Sequence, residues 1–229
     1  MLDTVLFEFD GVVVDAGDAR EDALCSALLT EGVVLSAQTY RELCAGHAFD
    51  DAARAALGGR EGTDEPLIAV IAARAERAYR AYIGKGVTLV DGVRDLIDRL
   101  LPVTRLGIVS RSSRQEIALV LSLARVEHAF ACVIGAEDAF PPKPSPAPYT
   151  AALARLAKRR PPSPGATIVA LEDSWQGIRS ARAAGIRTIA VGNTPAHVAI
   201  EADALLLTLD GATAETLHAL ATGGGERIP

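Results

Sequence analysis

Six short apolar runs punctuate this chain, at residues 4–9 (TVLFEF), 106–110 (LGIVS), 131–135 (ACVIG), 167–171 (TIVAL), 188–191 (TIAV) and 204–207 (ALLL). Each is too short for a core helix and shows almost no polar alternation, the pattern of a strand buried on both faces. Segments with helical spacing lie among them, at 93–101, 113–124, 146–158, 175–184 and 213–221. Gly185 stands where a helix would be capped before the next run begins. A strand covered on both faces needs helices above and below it. The alternation therefore predicts an α/β fold, a Rossmann-like, doubly wound parallel sheet.

One connection is too long for that scheme. After the first run the next core helix begins near Asp91, and the intervening segment of about 75 residues reads as helix after helix, at 20–29, 37–44, 50–57 and 65–82. A crossover needs one helix and short loops, so residues 16–85 are expected to form an inserted helical domain. The core would then be residues 1–15 and 86–229, with linkers near 15–17 and 84–86. The loop at 58–66 is a polar break inside the insertion, and the tail at 223–229 is expected to fray.

Composition removes several function classes. A formal net charge of −6 on 229 residues excludes nucleic-acid binding by bulk charge, which needs a basic face. No apolar run reaches the roughly 18 residues of a membrane span. Asp3 occupies the region where a secretory signal carries positive charge, so the expected location is cytoplasmic. Cys25, Cys44 and Cys132 form an odd, scattered set without a CxxC pair, consistent with buried small hydrophobes in a reducing compartment. Lysine is scarce: of 23 basic residues only Lys85, Lys143 and Lys158 are lysines.

Open parallel sheets bind ligands beyond the carboxyl ends of their strands, so the residues each strand delivers there are the informative ones. The first run ends in Glu8-Phe9-Asp10-Gly11, which places two carboxylates on one strand face ahead of a glycine turn. The second ends in Ser110, followed by Arg111-Ser112-Ser113-Arg114 at a helix start. The fourth ends in Glu172-Asp173-Ser174. Four carboxylates on one sheet edge repel unless a cation sits among them, and a hard ion such as Mg²⁺ suits oxygen ligands. Ser110 and nearby backbone N–H groups suit phosphate. Lys143, in PPKPSP, is a compact cation able to balance carboxylate and phosphate. Taken singly, Glu8 and Asp10 also read as loop carboxylates, Ser110 as a helix cap, Glu172-Asp173-Ser174 as a helix start and Lys143 as a solvated loop lysine. Their order at successive strand ends favours a site.

These residues resemble the haloacid dehalogenase superfamily, in its phosphatase and phosphoglucomutase-like branch with a helical cap after the first strand. The resemblance spans nearly the whole chain and rests on VLFEFDGVVVD (5–15), IVSRSSR (108–114), KPSPAPY (143–149) and VALEDSWQGIRSARAAGIRTIAVG (169–192). It implies Glu8 as the nucleophile that accepts a phosphoryl group and Asp10 as the acid and base. It also implies Ser110 as phosphate ligand and Lys143 as the group ordering nucleophile and phosphate. Asp173 would ligate Mg²⁺, with Glu172 supporting it directly or through water and Glu8 and Asp10 completing the metal set. Gly11 would line the phosphate, and Arg111, where the family carries Asn, would either add positive charge near it or point outward.

The pattern departs from the family at its nucleophile, where Asp is usual and Glu8 stands here. The extra methylene moves the carboxylate by roughly 1.5 Å on an unmoved backbone, where a misplacement of about 1 Å costs on the order of a hundredfold. Three readings are open: a slow nucleophile, a metal ligand in a binder without turnover, or a changed reaction. Asp10, Ser110, Lys143, Glu172 and Asp173 are all present, which argues against simple decay. The favoured reading is a Mg²⁺-dependent phosphoric monoester hydrolase acting on a small phosphorylated metabolite; the alternative is a non-catalytic binder of a phosphorylated ligand. Arg20 stands where the mutases carry His, and the segment 45–51 lacks their Arg, which disfavours a mutase. Arg20 and His47 either read a substrate anion or lie on solvated helix faces. Trp175 is expected to pack rather than stack on substrate. The helical insertion would close over the site and exclude water.

Overall fold

In the computed structural model, which describes residues 1–86, 88–192 and 194–223, all six apolar runs become strands of one parallel sheet. The strands are β1 (Leu2–Phe7), β2 (Arg105–Val109), β3 (Phe130–Ile134), β4 (Thr167–Glu172), β5 (Arg187–Val191) and β6 (Ala204–Leu206). Their order is β3-β2-β1-β4-β5-β6, and every pairing is parallel. The chain first builds outward from β1 through β2 to β3, then returns to β4 on the other side of β1. That reversal makes the carboxyl ends of β1, β2 and β4 the crevice of the sheet. The central strand β1 is buried along its whole length, whereas the edge strand β6 is partly exposed, with Leu205 open to solvent.

The chain divides into two compact units, Met1–Asp15 with Thr88–Pro229, and Ala16–Val87. In the first, α5 (Val93–Leu100), α6 (Arg114–Ala124), α7 (Ala147–Arg159), α8 (Trp175–Ala183), the short α9 (Ala196–Ala199) and α10 (Ala214–Thr222) accompany the sheet. Leu6, Val109, Ile134, Tyr149, Leu156 and Ala170 form one of its buried clusters. Helix starts follow their caps. Ser113 and Glu116 form a reciprocal capping box on α6, and Ser174 caps α8 through Gly177 N–H. Residues 224–229, most of the tail expected to fray, lie outside the described residues.

The second unit is α1 (Gly17–Leu29), α2 (Ala37–Leu43), α3 (Phe49–Leu57) and α4 (Glu65–Ile83). Both α1 and α3 pack along α4, burying Leu24, Leu28, Ala53, Ile71 and Tyr79. Asp64 caps α4, with Pro66 in its first turn, and Gly58 ends α3 in the left-handed region.

Two local features bear on the site. Strand β1 stops at Phe7 rather than Phe9, although Glu8 N–H still pairs with Leu171 C=O at 3.0 Å. The β-branched run Val12-Val13-Val14 is buried but forms a turn: Val13 and Val14 N–H both donate to Phe9 C=O, at 2.9 and 3.0 Å. Gly11, at φ +77°, makes the reversal.

Candidate active site

Each strand end delivers its polar residue one or two positions past its last regular pair. Ser110 follows β2 with its N–H on Ile134 C=O at 3.0 Å, and Asp173 follows β4. Glu8, Ser110, Lys143 and Glu172 are all buried, while Asp10 and Asp173 are half-buried. Glycine makes room among them. A Cβ on Gly11 would lie 2.0 Å from Asp173 Oδ2, and one on Gly177 would lie 1.9 Å from Glu172 Oε2. Glycine at 11 and 177 is thus a condition for the two carboxylates of the fourth strand end.

Lys143 is the centre of the cluster. Its ammonium donates to Glu8 Oε2, to Val109 C=O at 2.9 Å and to Glu172 Oε1 at 2.5 Å. An ammonium has three protons, so these acceptors use all of them. The second oxygen of Glu8 accepts from Phe9 N–H at 2.9 Å. Burial pushes Lys143 toward neutrality, but Glu172 and Glu8 outweigh it and hold the group charged. Burial, reinforced by the charge of Glu8, raises Glu172 above the usual carboxylate range against the pull of Lys143. Asp173 is raised well above that range by burial and by the negative charges of Glu172, Glu8 and Asp10.

Among the described residues no three His, Cys, Asp or Glu side chains converge closely enough to hold an ion by themselves. Glu8 and Glu172 are instead turned onto Lys143, because a fully buried carboxylate such as Glu172 needs a counter-charge more than a solvent-facing position does.

Three contributors had no role in the sequence reading. Ser112 donates from its hydroxyl to Asp10 Oδ2 at 2.5 Å, and its N–H donates to Ser110 Oγ at 3.1 Å. Tyr149 donates to Glu172 Oε1 at 2.5 Å, and Gly177 clears space for the same carboxylate. Only Ser112 carried a usable signal, its position two residues past a strand-end serine.

A model of the family described as haloacid dehalogenase-like hydrolase matches residues 5–191. The chain belongs to the haloacid dehalogenase-like hydrolases. Among relatives, it is 28% identical over 198 residues to protein CbbY of Rhodobacter capsulatus, covering 82% of this chain and 84% of that one. It is 24% identical over 187 residues to a phosphoglycolate phosphatase of Pectobacterium atrosepticum, covering 80% and 77%. Among solved structures, CbbY from Rhodobacter sphaeroides in complex with phosphate superposes with a TM-score of 0.83 at 25% identity, over 95% of this chain and 100% of that one. A β-phosphoglucomutase from Clostridium difficile shares the fold, with a TM-score of 0.84 at 17% identity over 98% and 99%.

Within this haloacid dehalogenase-like chain the remaining candidates stand as follows. Gly11 is exposed at its turn and Arg111 half-buried beside Ser110. Arg20 is buried in the helical unit rather than solvated: its guanidinium lies 4.4 Å from the Phe49 ring centre and 5.1 Å from that of Tyr79, and donates to His47 C=O at 3.4 Å. His47 is half-buried, with Nδ1 3.3 Å from Ala45 C=O. Trp175 is partly exposed, donates from Nε1 to Glu201 at 3.0 Å and is stacked by Arg179 at 4.3 Å. Among the described residues no helix is long and apolar enough to cross a membrane.

Proposed function

We propose that this protein is a Mg²⁺-dependent phosphatase of small phosphorylated metabolites, with Glu8 as an attenuated nucleophile. The observation that carries the reading is the triple engagement of Lys143, which orients Glu8 Oε2 at the sheet edge beside Ser110. In the proposed reaction a Glu8 oxygen attacks phosphorus, the ester P–O bond breaks, and Asp10 gives the leaving alcohol its proton. Asp10 then takes a proton from water, whose oxygen attacks the acyl phosphate and returns Glu8 as carboxylate with release of phosphate. Ser112 orients Asp10 through the 2.5 Å hydrogen bond, and Ser110 Oγ, which accepts from Ser112 N–H, would bind the transferring group.

The donor chemistry fits Mg²⁺. Asp173 Oδ2 lies in a space that a Cβ on Gly11 would fill, and Mg²⁺ keeps several waters while taking one or two carboxylates, so a full protein cage is not required. Asp173, Glu8 and the Asp10 carbonyl would hold it, with Glu172 acting through Lys143. When bound, the ion neutralises charge developing on the phosphoryl oxygens. The helical unit, residues 16–87, would act as the cap, with Arg20 and His47 as substrate-reading candidates on it. That relatives include a phosphate-bound CbbY and phosphoglycolate phosphatases supports a small phosphorylated substrate.

A second reading keeps a specific observation in its favour: both Glu8 oxygens are engaged, one by Phe9 N–H and one by Lys143. A carboxylate held that way suits a phosphate-ligand binder without turnover. Hydrolysis of p-nitrophenyl phosphate with and without Mg²⁺, by wild type and Glu8→Asp, separates the two. We expect slow Mg²⁺-dependent turnover that rises on the order of a hundredfold in Glu8→Asp, the size of a correction of about 1 Å. No turnover of any ester in a metabolite panel by either variant removes the hydrolase reading.

A further inference from the structure

The proposed reaction leaves the buried hydroxyl of Tyr149 without a task. Tyr149 is fully buried in the first turn of α7, six residues after Lys143. Its hydroxyl donates to Glu172 Oε1 at 2.5 Å, the same oxygen that receives Lys143 Nζ at 2.5 Å. Its ring centre lies 5.1 Å from that ammonium. Tyr149 therefore meets Lys143 twice, through its π face and through a shared carboxylate oxygen. Packing alone does not call for the hydroxyl, since phenylalanine fills nearly the same volume and contains no polar atom to satisfy.

The ammonium sits between two buried carboxylates, and its position depends on how strongly each pulls. A hydroxyl donated to Glu172 Oε1 draws on the same lone pairs that attract Lys143. Weakening that pull leaves more of the ammonium to Glu8. We propose that Tyr149 is a positioning residue for Glu8: through Glu172 it sets how the Lys143 ammonium is divided between the two carboxylates, and so how Glu8 Oε2 is aimed. The inference deepens the phosphatase reading and rests on it for its kinetic consequence, while the position of the ammonium is measurable without turnover.

The scarcity of lysine makes the test direct, since Lys85, Lys143 and Lys158 are the only lysines. In the full chain labelled with ¹⁵N-lysine, Lys85→Arg and Lys158→Arg assign the side-chain Nζ resonance of Lys143 by elimination. Tyr149→Phe is expected to move that resonance and leave those of Lys85 and Lys158 in place. Glu172→Gln, which weakens the same pull from the other side, is expected to move it in the opposite sense. With p-nitrophenyl phosphate and Mg²⁺, Tyr149→Phe should lower kcat by about tenfold and keep KM within about twofold, the signature of a lost hydrogen bond to a charged group that acts on the chemical step. An unmoved Lys143 resonance in folded Tyr149→Phe overturns the proposal, as do shifts of the same sense in both variants. A moved resonance with unchanged kcat overturns the link to Glu8. If wild type hydrolyses no ester, the phosphatase reading fails alone, and the paired shifts still decide whether Tyr149 sets the ammonium.

Discussion

Lys143 and Arg20 are both cations removed from water, one in each unit, and their surroundings differ in kind. Lys143 lies among Glu8, Glu172 and the Val109 carbonyl, with the Tyr149 ring at 5.1 Å. Arg20 lies against the rings of Phe49 and Tyr79 and donates to the His47 carbonyl. A compact, strongly hydrated ammonium needs full charges to replace its water. A flat, weakly hydrated guanidinium is accommodated by aromatic faces. The first environment surrounds a buried ammonium with two carboxylates and a strand-end carbonyl. The second sets the flat face of a guanidinium against two rings of the helical unit.

The comparison is broken most severely at Lys143. Lys143→Met leaves Glu8 and Glu172 buried against each other without their cation, and removing one partner of a buried pair costs about 3–5 kcal/mol. Chemical denaturation should show that loss, and adding Glu172→Gln should recover part of it by removing the uncompensated charge. If Lys143→Met unfolds at the wild-type midpoint, the ammonium is not what holds these carboxylates.

Arg20→Met keeps the aliphatic stem and removes the cation from the aromatic faces, so the expected cost is smaller, about 0.5–2 kcal/mol. The same denaturation series measures it. Under the packing account kcat on p-nitrophenyl phosphate stays within about twofold. A selective rise in KM for a phosphorylated metabolite would instead assign Arg20 to substrate.

The smallest effect is in acid, at a carboxylate tied by arginines rather than by lysine. Burial would raise Asp138, but donors from Arg155, Gly135 N–H and Arg114 hold its carboxyl below the ordinary value of 3.8. Folded Asp138 takes up its proton at lower pH than the unfolded chain does. Its contribution is therefore present above pH 3.8 and fades as pH falls through the lower folded value. Melting temperatures of wild type and Asp138→Asn should differ at neutral pH and converge in acid. Curves that stay parallel would show that the arginine contacts add nothing titratable. Asp173 is shifted the other way, by burial among negative charges, so the sheet edge and the Asp138 loop treat the same side chain in opposite senses.

Much of the architecture was legible. The apolar runs at 106–110, 131–135, 167–171 and 188–191 overlap β2 to β5 because a strand buried on both faces leaves a continuous apolar signature. The helical spacing at 93–101 and 113–124 falls on α5 and α6. Helix α9, four residues long, escaped because less than two turns show no period. Val12-Val13-Val14 is β-branched throughout, yet the reversal at Gly11 folds it back onto the Phe9 carbonyl. At the site, the acidic residues, Ser110 and Lys143 were visible as residue types at strand ends. Their pairing was not, since nothing in a one-dimensional order says that Glu172 faces Lys143 and Tyr149.

By itself, then, the sequence determined the class of fold and the inventory of chemistry, because burial patterns and strand-end residues are local properties of the chain. Only the tertiary structure decided which charges meet. It brings a loop lysine after β3 and a tyrosine on α7 onto one oxygen of Glu172, the last residue of β4, and turns Glu8 toward the same ammonium. Those contacts join residues far apart in the chain. The physical reason is desolvation: once buried, each of these groups must find a partner, and the partners come from other elements of the fold.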